Sequence, residues 1–177
     1  MKKIIIVATI ICAAVFANAA QVGWTNGNLA AYNGDKYYMF VIGQNGATSI
    51  ATITTLLDAG SAVDSYSIGG GTVSSGTANL AASATSPTLG EGSYTAFMVL
   101  FDAATPTSGS SKYAVLQGAA GYNQSVGAAT ATITFVGGNA GGMASAAEWK
   151  TYGAPEPTSG VLLLLGVAGL ALKRHRA

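Results

Sequence analysis

The stretch Tyr94-Thr95-Ala96-Phe97-Met98-Val99-Leu100-Phe101 is an unbroken run of apolar and β-prone residues. Turn-forming residues follow it at Pro106-Thr107-Ser108-Gly109. A short apolar run of this kind is typical of a strand that is buried on both faces. We therefore predict a central strand here, covered on both sides.

A second stretch, Ala129-Thr130-Ala131-Thr132-Ile133-Thr134-Phe135, alternates strictly between apolar residues and threonines. Side chains in a strand point alternately to the two faces of the sheet. This pattern predicts a strand with Ala129, Ala131, Ile133 and Phe135 in the core and the threonines in water.

The rest of the middle region predicts an all-β fold. Further strands are predicted at 36–42, 47–57, 63–68, 71–80 and 112–117, separated by Gly-, Asn- and Ser-rich turns. About seven to nine short strands favour a single antiparallel β-sandwich, jelly-roll-like or immunoglobulin-like. No helical periodicity of useful length is visible, and the only helical prediction is a single turn at Ser145–Glu148, where the residues form a capping-box pattern.

The charge distribution excludes several classes of function. Between residues 21 and 154 the chain has no His, no Cys, three Lys and six acidic residues. Nucleic-acid binding needs a basic patch, which is missing here. Ser-His-Asp and Cys-His catalysis need an imidazole, and zinc sites use mainly His and Cys. We predict no catalytic residues, no metal site and no cofactor.

The N-terminus is typical of a secretory signal peptide. Lys2 and Lys3 precede an apolar run from Ile4 to Phe16, which ends in small residues. Ala17 and Ala19 form the small-x-small pattern of a cleavage site, so cleavage is expected after Ala19 or one residue later. Export by the general secretory route follows from this.

The C-terminus combines a proline-rich segment, an apolar helix and a basic end. Pro155-Glu156-Pro157 precedes an apolar stretch that ends at Leu172, and Lys173, Arg174 and Arg176 follow as a basic stop. As a helix, the stretch from Ser159 to Leu172 is about 21 Å long, which is short for a hydrocarbon core of about 30 Å. It is therefore a weak anchor, and its basic end is expected to stay in the cytoplasm.

The stretch from Ala154 to Ala177 resembles the PEP-CTERM sorting signal of Gram-negative bacteria, and it covers about 24 of the 177 residues. The tail carries Lys173 and His175 where the family often has only arginine. The resemblance implies processing by exosortase, an integral-membrane cysteine transpeptidase-like enzyme that would recognise Pro155, Glu156 and Pro157. It also implies transient anchoring in the inner membrane, followed by transfer to the cell surface or the extracellular matrix. Members of the family commonly occur in bacteria that make exopolysaccharide.

These expectations divide the chain into three parts. Residues 1–20 are a signal peptide, 21–152 a β-sandwich ectodomain, and 153–177 the sorting signal, with a transmembrane helix at 160–172 and a basic tail at 173–177. We expect a non-enzymatic protein of the cell surface or extracellular matrix.

Two other functions remain open. A carbohydrate-binding or adhesive module associated with exopolysaccharide could use exposed aromatics, for which Trp24, Tyr32 and Tyr37 are the candidates. A hydrolase would need two facing carboxylates, but acids beside turns, such as Asp35 and Asp102, are usually turn-formers or solvated groups.

Overall fold

The computed structural model of the chain describes residues 19–83, 85–116, 123–137, 149–153 and 165. These residues form ten strands and one α-helix, so the protein is broadly all-β, as predicted. The helix is α1 (Ile50–Asp58). The strands are β1 (Ala20–Asn26), β2 (Lys36–Val41), β3 (Gly69–Thr72), β4 (Ala78–Leu80), β5 (Thr88–Leu89), β6 (Gly92–Phe101), β7 (Lys112–Leu116), β8 (Asn123–Val126), β9 (Thr132–Gly137) and β10 (Lys150–Thr151).

The strands form a small and a large sheet. In the small sheet β1 is central, with β9 along one edge and β4 and β5 one after the other along the opposite edge. The large sheet has the order β10-β7-β6-β2-β3, and β8 pairs with the first residues of β6. The β1–β9 pair is parallel. The prediction of a purely antiparallel arrangement is therefore wrong at this pair, because the long chain between the two strands lets β9 return in the direction of β1.

The predicted central strand is confirmed as β6, which is buried on both faces. Its even-numbered residues from 96 to 100 enter a core cluster that contains side chains from both sheets. Its odd-numbered residues from 97 to 101 enter a second cluster, which includes Ile53 and Leu57 of α1. The large sheet therefore lies between the small sheet on one side and the helix on the other.

The stretch 47–57 folds mainly as α1, so the strand predicted there is wrong. Its isoleucines and threonines favour strands, but Ile53 and Leu57 recur at a helical spacing and are the two buried residues of the helix. Ser49 caps the helix, since its Oγ accepts a hydrogen bond from Thr52 N at 3.1 Å. Two threonine hydroxyls donate to the carbonyl four residues earlier, so the helix itself satisfies them.

β1 is a strand that the sequence patterns above do not predict. Ala20, Val22 and Trp24 alternate into the core, but Gly23 interrupts the pattern. A Cβ at Gly23 would lie 3.1 Å from Thr134 Oγ1 of the neighbouring β9. Close approach of the two strands therefore favours glycine at a position where strands usually avoid it.

The alternating stretch 129–135 is only half a strand. β9 covers its second half, where Ile133 and Phe135 are buried as predicted. Its first half leads out of a turn, in which Thr130 N donates to Gly127 O. The two alanines predicted to be buried are therefore exposed.

The remaining stretches follow the predictions in part. β2 and β7 cover most of 36–42 and 112–117. The stretch 71–80 divides into the end of β3 and all of β4. The stretch 63–68 holds a 3-10 turn at Asp64–Tyr66 where a strand was expected. The helical turn predicted at 145–148 lies outside the described residues.

Candidate functional site

Two of the three aromatic residues expected to stack on a sugar are buried. Trp24 and Tyr37 expose 0% and 3% of their surface. The ring of Trp24 lies 5.6 Å from that of Phe135 in the core. The Tyr37 hydroxyl donates to Asn79 O at 2.9 Å. Neither ring presents a face to solvent, so neither can stack on a sugar.

The third aromatic, Tyr32, is half-buried and pairs with Trp149. Their ring centroids are 5.6 Å apart, with 36° between the planes. Both rings also pack against the core cluster that joins the two sheets. Tyr32 ends a 3-10 turn and Trp149 directly precedes β10, so the fold brings together two residues far apart in sequence. The two rings therefore form a partly exposed aromatic pair.

One acidic residue binds a core tyrosine. The hydroxyl of the buried Tyr113 on β7 donates to Asp58 Oδ1 at 2.5 Å. Burial, followed by the hydrogen bond and the negative charge of Asp58, raises the pKa of Tyr113 well above its usual value of about 10. The tyrosine therefore stays protonated and acts as a donor. Asp58 is the last residue of α1, so this bond fixes the end of the helix to the large sheet.

Two other acids lie close enough to repel each other. Burial, followed by the charge of Asp102, raises the pKa of Asp35 above its usual value. Asp102 itself accepts a hydrogen bond from Lys112 N at 2.7 Å, so it orders the turn between β6 and β7. Asp102 is exposed, and its bond to the main chain is the role expected of a turn-former.

A tyrosine on the outer face of the large sheet gathers several polar groups. Lys36 Nζ lies 5.0 Å from the centre of the Tyr38 ring, a cation–π distance. Burial, followed by the charge of Asp64 and the nearby Tyr152, raises the pKa of Tyr38. The ring packs edge-on against Phe101 at 6.2 Å. Tyr38 therefore serves mainly to cover the second core cluster.

Residues 149–153, which we call the junction segment, are bound to the folded body. β10 pairs with β7, and beyond it Tyr152 N donates to Ser111 O at 2.8 Å. The Tyr152 hydroxyl donates to Gly60 O at 3.1 Å. Gly153 N donates to Leu57 O at 2.9 Å. Sequence patterns do not predict this docking, and its only local signal is the pair of aromatics, Trp149 and Tyr152, in the segment.

Three small residues meet where the junction segment ends. Gly60 has φ +72°, and a Cβ there would lie 2.4 Å from Ser108 Oγ and 3.1 Å from the Cα of Gly153. Gly153 has φ +71° and equally close neighbours. The loop after α1 and the last described residue before Pro155 therefore pack backbone against backbone, and the Ser108 side chain packs against both.

The predicted sorting and cleavage residues lie outside the described residues. These are Ala17, Pro155, Glu156, Pro157, Lys173, Arg174 and Arg176; Ala19 is described, directly before β1. Apart from Leu165, the predicted transmembrane helix 160–172 is also outside. Among the residues that the structure describes, no helix is long and apolar enough to cross a membrane. Within the same residues, no group of three or more His, Cys, Asp or Glu side chains could hold a metal ion.

Comparison with known proteins finds no relative. The chain matches no protein-family model, no curated protein and no solved structure.

Proposed function

We propose that the chain is an exported, non-enzymatic protein of the cell surface or extracellular matrix, processed by exosortase at its C-terminal signal. The observation that carries this proposal is the sequence from Ala154 to Ala177, with Pro155-Glu156-Pro157 as the recognition element. Export follows the general secretory route, and the inner membrane holds the chain transiently through 160–172.

The limits of the folded body support this division of the chain. β1 begins at Ala20, directly after the expected cleavage position at Ala19, and Ala20 is fully buried against β5. At the other end, Gly153 is hydrogen-bonded to the body, and a single residue separates it from Pro155. The two expected processing regions therefore directly flank a folded unit.

For the body itself we propose a β-sandwich, jelly-roll-like or immunoglobulin-like. Its support is the core cluster that contains side chains from both sheets, including Trp24 of β1 and Met98 of β6. The helix α1 is an addition on the outer face of the large sheet. A sandwich of this kind needs no cofactor to be stable, since a domain of about 130 residues can bury about two thirds of its surface.

The placement of the acids supports a non-enzymatic role. Asp58 is bound to Tyr113, and Asp102 to the main chain of Lys112. Glycoside hydrolysis uses two carboxylates held about 5 to 10 Å apart across a substrate cleft. Asp35 and Asp102 repel each other, but Asp102 already has a structural partner at its turn.

Mass spectrometry of the protein from its native bacterium tests the proposal. We expect the mature chain to begin at Ala20 or Gln21 and to yield no peptide from 162–176. Glu156→Ala should leave the C-terminal peptide in place and keep the protein in the inner membrane. Thr158→Ala, outside the Pro-Glu-Pro motif, is the matched control and should be processed normally. Recovery of the intact C-terminus from wild-type protein would contradict the proposal.

A carbohydrate-binding or adhesive module in the same location is the second candidate. The specific observation in its favour is the half-buried pair of Tyr32 and Trp149, with ring centroids 5.6 Å apart. Stacking of a sugar on Trp149 should change its fluorescence, while the buried Trp24 serves as an internal reference. Exopolysaccharide purified from the host should bind the wild type and fail to bind Trp149→Ala. Tyr94→Ala is the control, because Tyr94 lies near the start of β6, whereas Trp149 precedes the strand that is level with the end of β6. Equal binding by all three proteins would contradict this function.

A further inference from the structure

Among the residues that the structure describes, β9 is the longest strand at an edge of either sheet, and no described strand pairs with its outer edge. It has six residues, whereas the other strands that pair on one side only have two to four. Thr132–Gly137 contains no charged residue and no proline, which are the usual devices that stop an edge strand from pairing with another chain. Within the described part of the chain, β9 pairs only with β1.

The direction of the main-chain groups on β9 follows from its pairing with β1. Gln21 N donates to Ala131 O, and Gln21 is level with Thr132. In a parallel ladder, alternate residues of a strand bond to one neighbour, so the odd-numbered residues of β9 face β1. The N–H and C=O groups of Thr132, Thr134 and Val136 therefore point away from β1, along the outer edge.

The side chains at the same positions are accessible. Thr132 and Thr134 are exposed, and Val136 exposes 50% of its surface. Val136 and Leu165 are the two exposed large hydrophobic side chains among the described residues. Leu165 belongs to the predicted sorting helix, so Val136 is the exposed one in the β-rich body.

We propose that β9 pairs with β9 of a second copy of this chain, antiparallel and centred on Thr134. A two-fold axis at Thr134 places Thr132 opposite Val136 of the other copy. All three facing pairs then use the residues whose main-chain groups point outward, which gives roughly six hydrogen bonds between the copies. Registers centred on Ile133 or Phe135 give only two such pairs within β9. Registers centred between two residues would oppose an even-numbered residue to an odd-numbered one, whose main-chain groups already bond to β1.

The side chains of this register also fit each other. On the outer face, threonine meets threonine at the centre, and threonine meets valine on either side, which are favourable β-branched cross-strand pairs. On the inner face, Ile133 lies opposite Phe135 of the other copy. Both belong to the core cluster that joins the sheets, so the two small sheets become one sheet with a continuous apolar face. No like charges meet, since the strand carries none.

Analytical ultracentrifugation of the full chain in mild detergent tests this dimer. The wild type should be a dimer, and Thr134→Lys should be a monomer because two ammonium groups would then meet at the axis. Thr88→Lys is the control, since Thr88 is exposed on β5 at the opposite edge of the small sheet. Association through the apolar ends of the chain would persist in Thr134→Lys, and this result, like a monomeric wild type, would overturn the proposal.

Cysteine cross-linking tests the register in a Cys12→Ser background. Thr134→Cys should form a disulfide dimer under mild oxidation, because the two Cα atoms would be about 5.5 Å apart. Thr132→Cys alone should not, since the same residue of the other copy would be about 13 Å away. A mixture of Thr132→Cys and Val136→Cys should form the mixed dimer. Cross-linking of Thr132→Cys with itself would overturn the register.

Hydrogen exchange distinguishes a second copy from a segment of the same chain. The amides of Thr132, Thr134 and Val136 should exchange more slowly as protein concentration rises. Protection that does not depend on concentration would mean that the edge is covered within one chain, and it would overturn the proposal.

Discussion

Tyr113 shows how a polar group is kept in the apolar layer between α1 and the large sheet. Its ring is fully buried among aromatic neighbours, including Phe101 at 6.5 Å. A buried hydroxyl that has lost its contact with water and has no other hydrogen-bond partner costs about 1–3 kcal/mol. Asp58 supplies that partner from the last position of α1. The carboxylate is therefore structural, in contrast to the solvated acid that a position beside a turn predicts.

Replacing Tyr113 by phenylalanine tests this role. Tyr113→Phe should lower the free energy of unfolding by about 1–3 kcal/mol, because Asp58 loses a charged hydrogen bond beside the core. Tyr66→Phe is the matched control: Tyr66 is half-buried at the rim of the same cluster, and loss of its hydroxyl should change stability by less than about 0.5 kcal/mol. Urea unfolding measures both. Equal effects of the two variants would contradict a specific role for the Tyr113–Asp58 bond.

Asp35 should destabilise the fold at neutral pH. Its pKa is raised by burial and by Asp102, so the folded state holds the Asp35 proton more tightly than the unfolded state does. The resulting penalty is absent below the unfolded pKa of about 3.9 and grows as the pH rises through the folded pKa.

Asp35→Asn should accordingly be slightly more stable than wild type at pH 7, by less than about 1 kcal/mol for a surface group, and equal to it at pH 3. Glu91→Gln, at an exposed position before β6, should show no such difference between the two pH values. Urea unfolding at both pH values measures the free energy of unfolding of each variant. A lower stability of Asp35→Asn at pH 7 would show that the carboxylate is favourable.

At the scale of elements, local patterns predict a strand where the burial of a stretch is uniform. From Ala96 to Phe101, β6 has apolar residues on both faces, and all of them are buried in the fold. α1 is mispredicted because its threonines have a β preference, which the Ser49 cap and the spacing of Ile53 and Leu57 outweigh. β1 is missed because Gly23 is favoured by its close contact with Thr134, about 110 residues later in the chain. A short stretch of sequence does not contain this contact, so local patterns could not predict it.

Some parts of the candidate site could be proposed from local sequence, and others depend on the tertiary fold. The proposed recognition motif at 155–157 is a local pattern, so the sequence alone suffices to propose it. The burial of Trp24 and the pairing of Tyr32 with Trp149 depend on how the sheets pack. The sequence alone could therefore not tell which aromatic residues are buried and which are partly exposed. Tyrosine and tryptophan combine an apolar ring with a polar group, so both residue types occur in the core and at the surface.

Gly60 lies where the end of α1, the 107–111 turn and the junction segment pack closely together, so we expect it to tolerate no side chain. Gly60→Ala should lower the free energy of unfolding by more than 2 kcal/mol, roughly the sum of a positive-φ penalty of about 1 kcal/mol and a clash with Ser108. Gly109→Ala provides the control, because Gly109 also has positive φ (+83°) but has nothing within 4 Å of its would-be Cβ. Thermal unfolding compares them. A Gly109 variant as unstable as the Gly60 variant would show that backbone strain alone accounts for the loss.

At the scale of the whole molecule, the junction segment belongs to the body although it lies just before the proposed sorting motif. Its bonds reach β7, the 107–111 turn and the end of α1. Tyr152 also packs edge-on against Phe101 of the second core cluster, with ring centroids 5.5 Å apart. Removal of everything after Gly153 would therefore leave all of these contacts in place.

Two truncated chains test this division. A chain that ends at Gly153 should unfold at the same urea concentration as one that keeps the proposed sorting signal. A chain that ends at Trp149 should lose about 2–4 kcal/mol, because it lacks the Tyr152 packing and the main-chain bonds of the segment. Circular dichroism during urea titration measures both. Equal stability of the two truncated chains would show that the docked segment contributes nothing.

The central position of β1 has a consequence for the order of events during biosynthesis. β1 is the first strand to leave the ribosome, yet its longest partner, β9, is made more than a hundred residues later. Contacts so distant along the chain form slowly, because loop closure must precede them. The small sheet thus stays open until nearly the whole body has been synthesised, and this delay would suit the proposed export of the chain in an unfolded state.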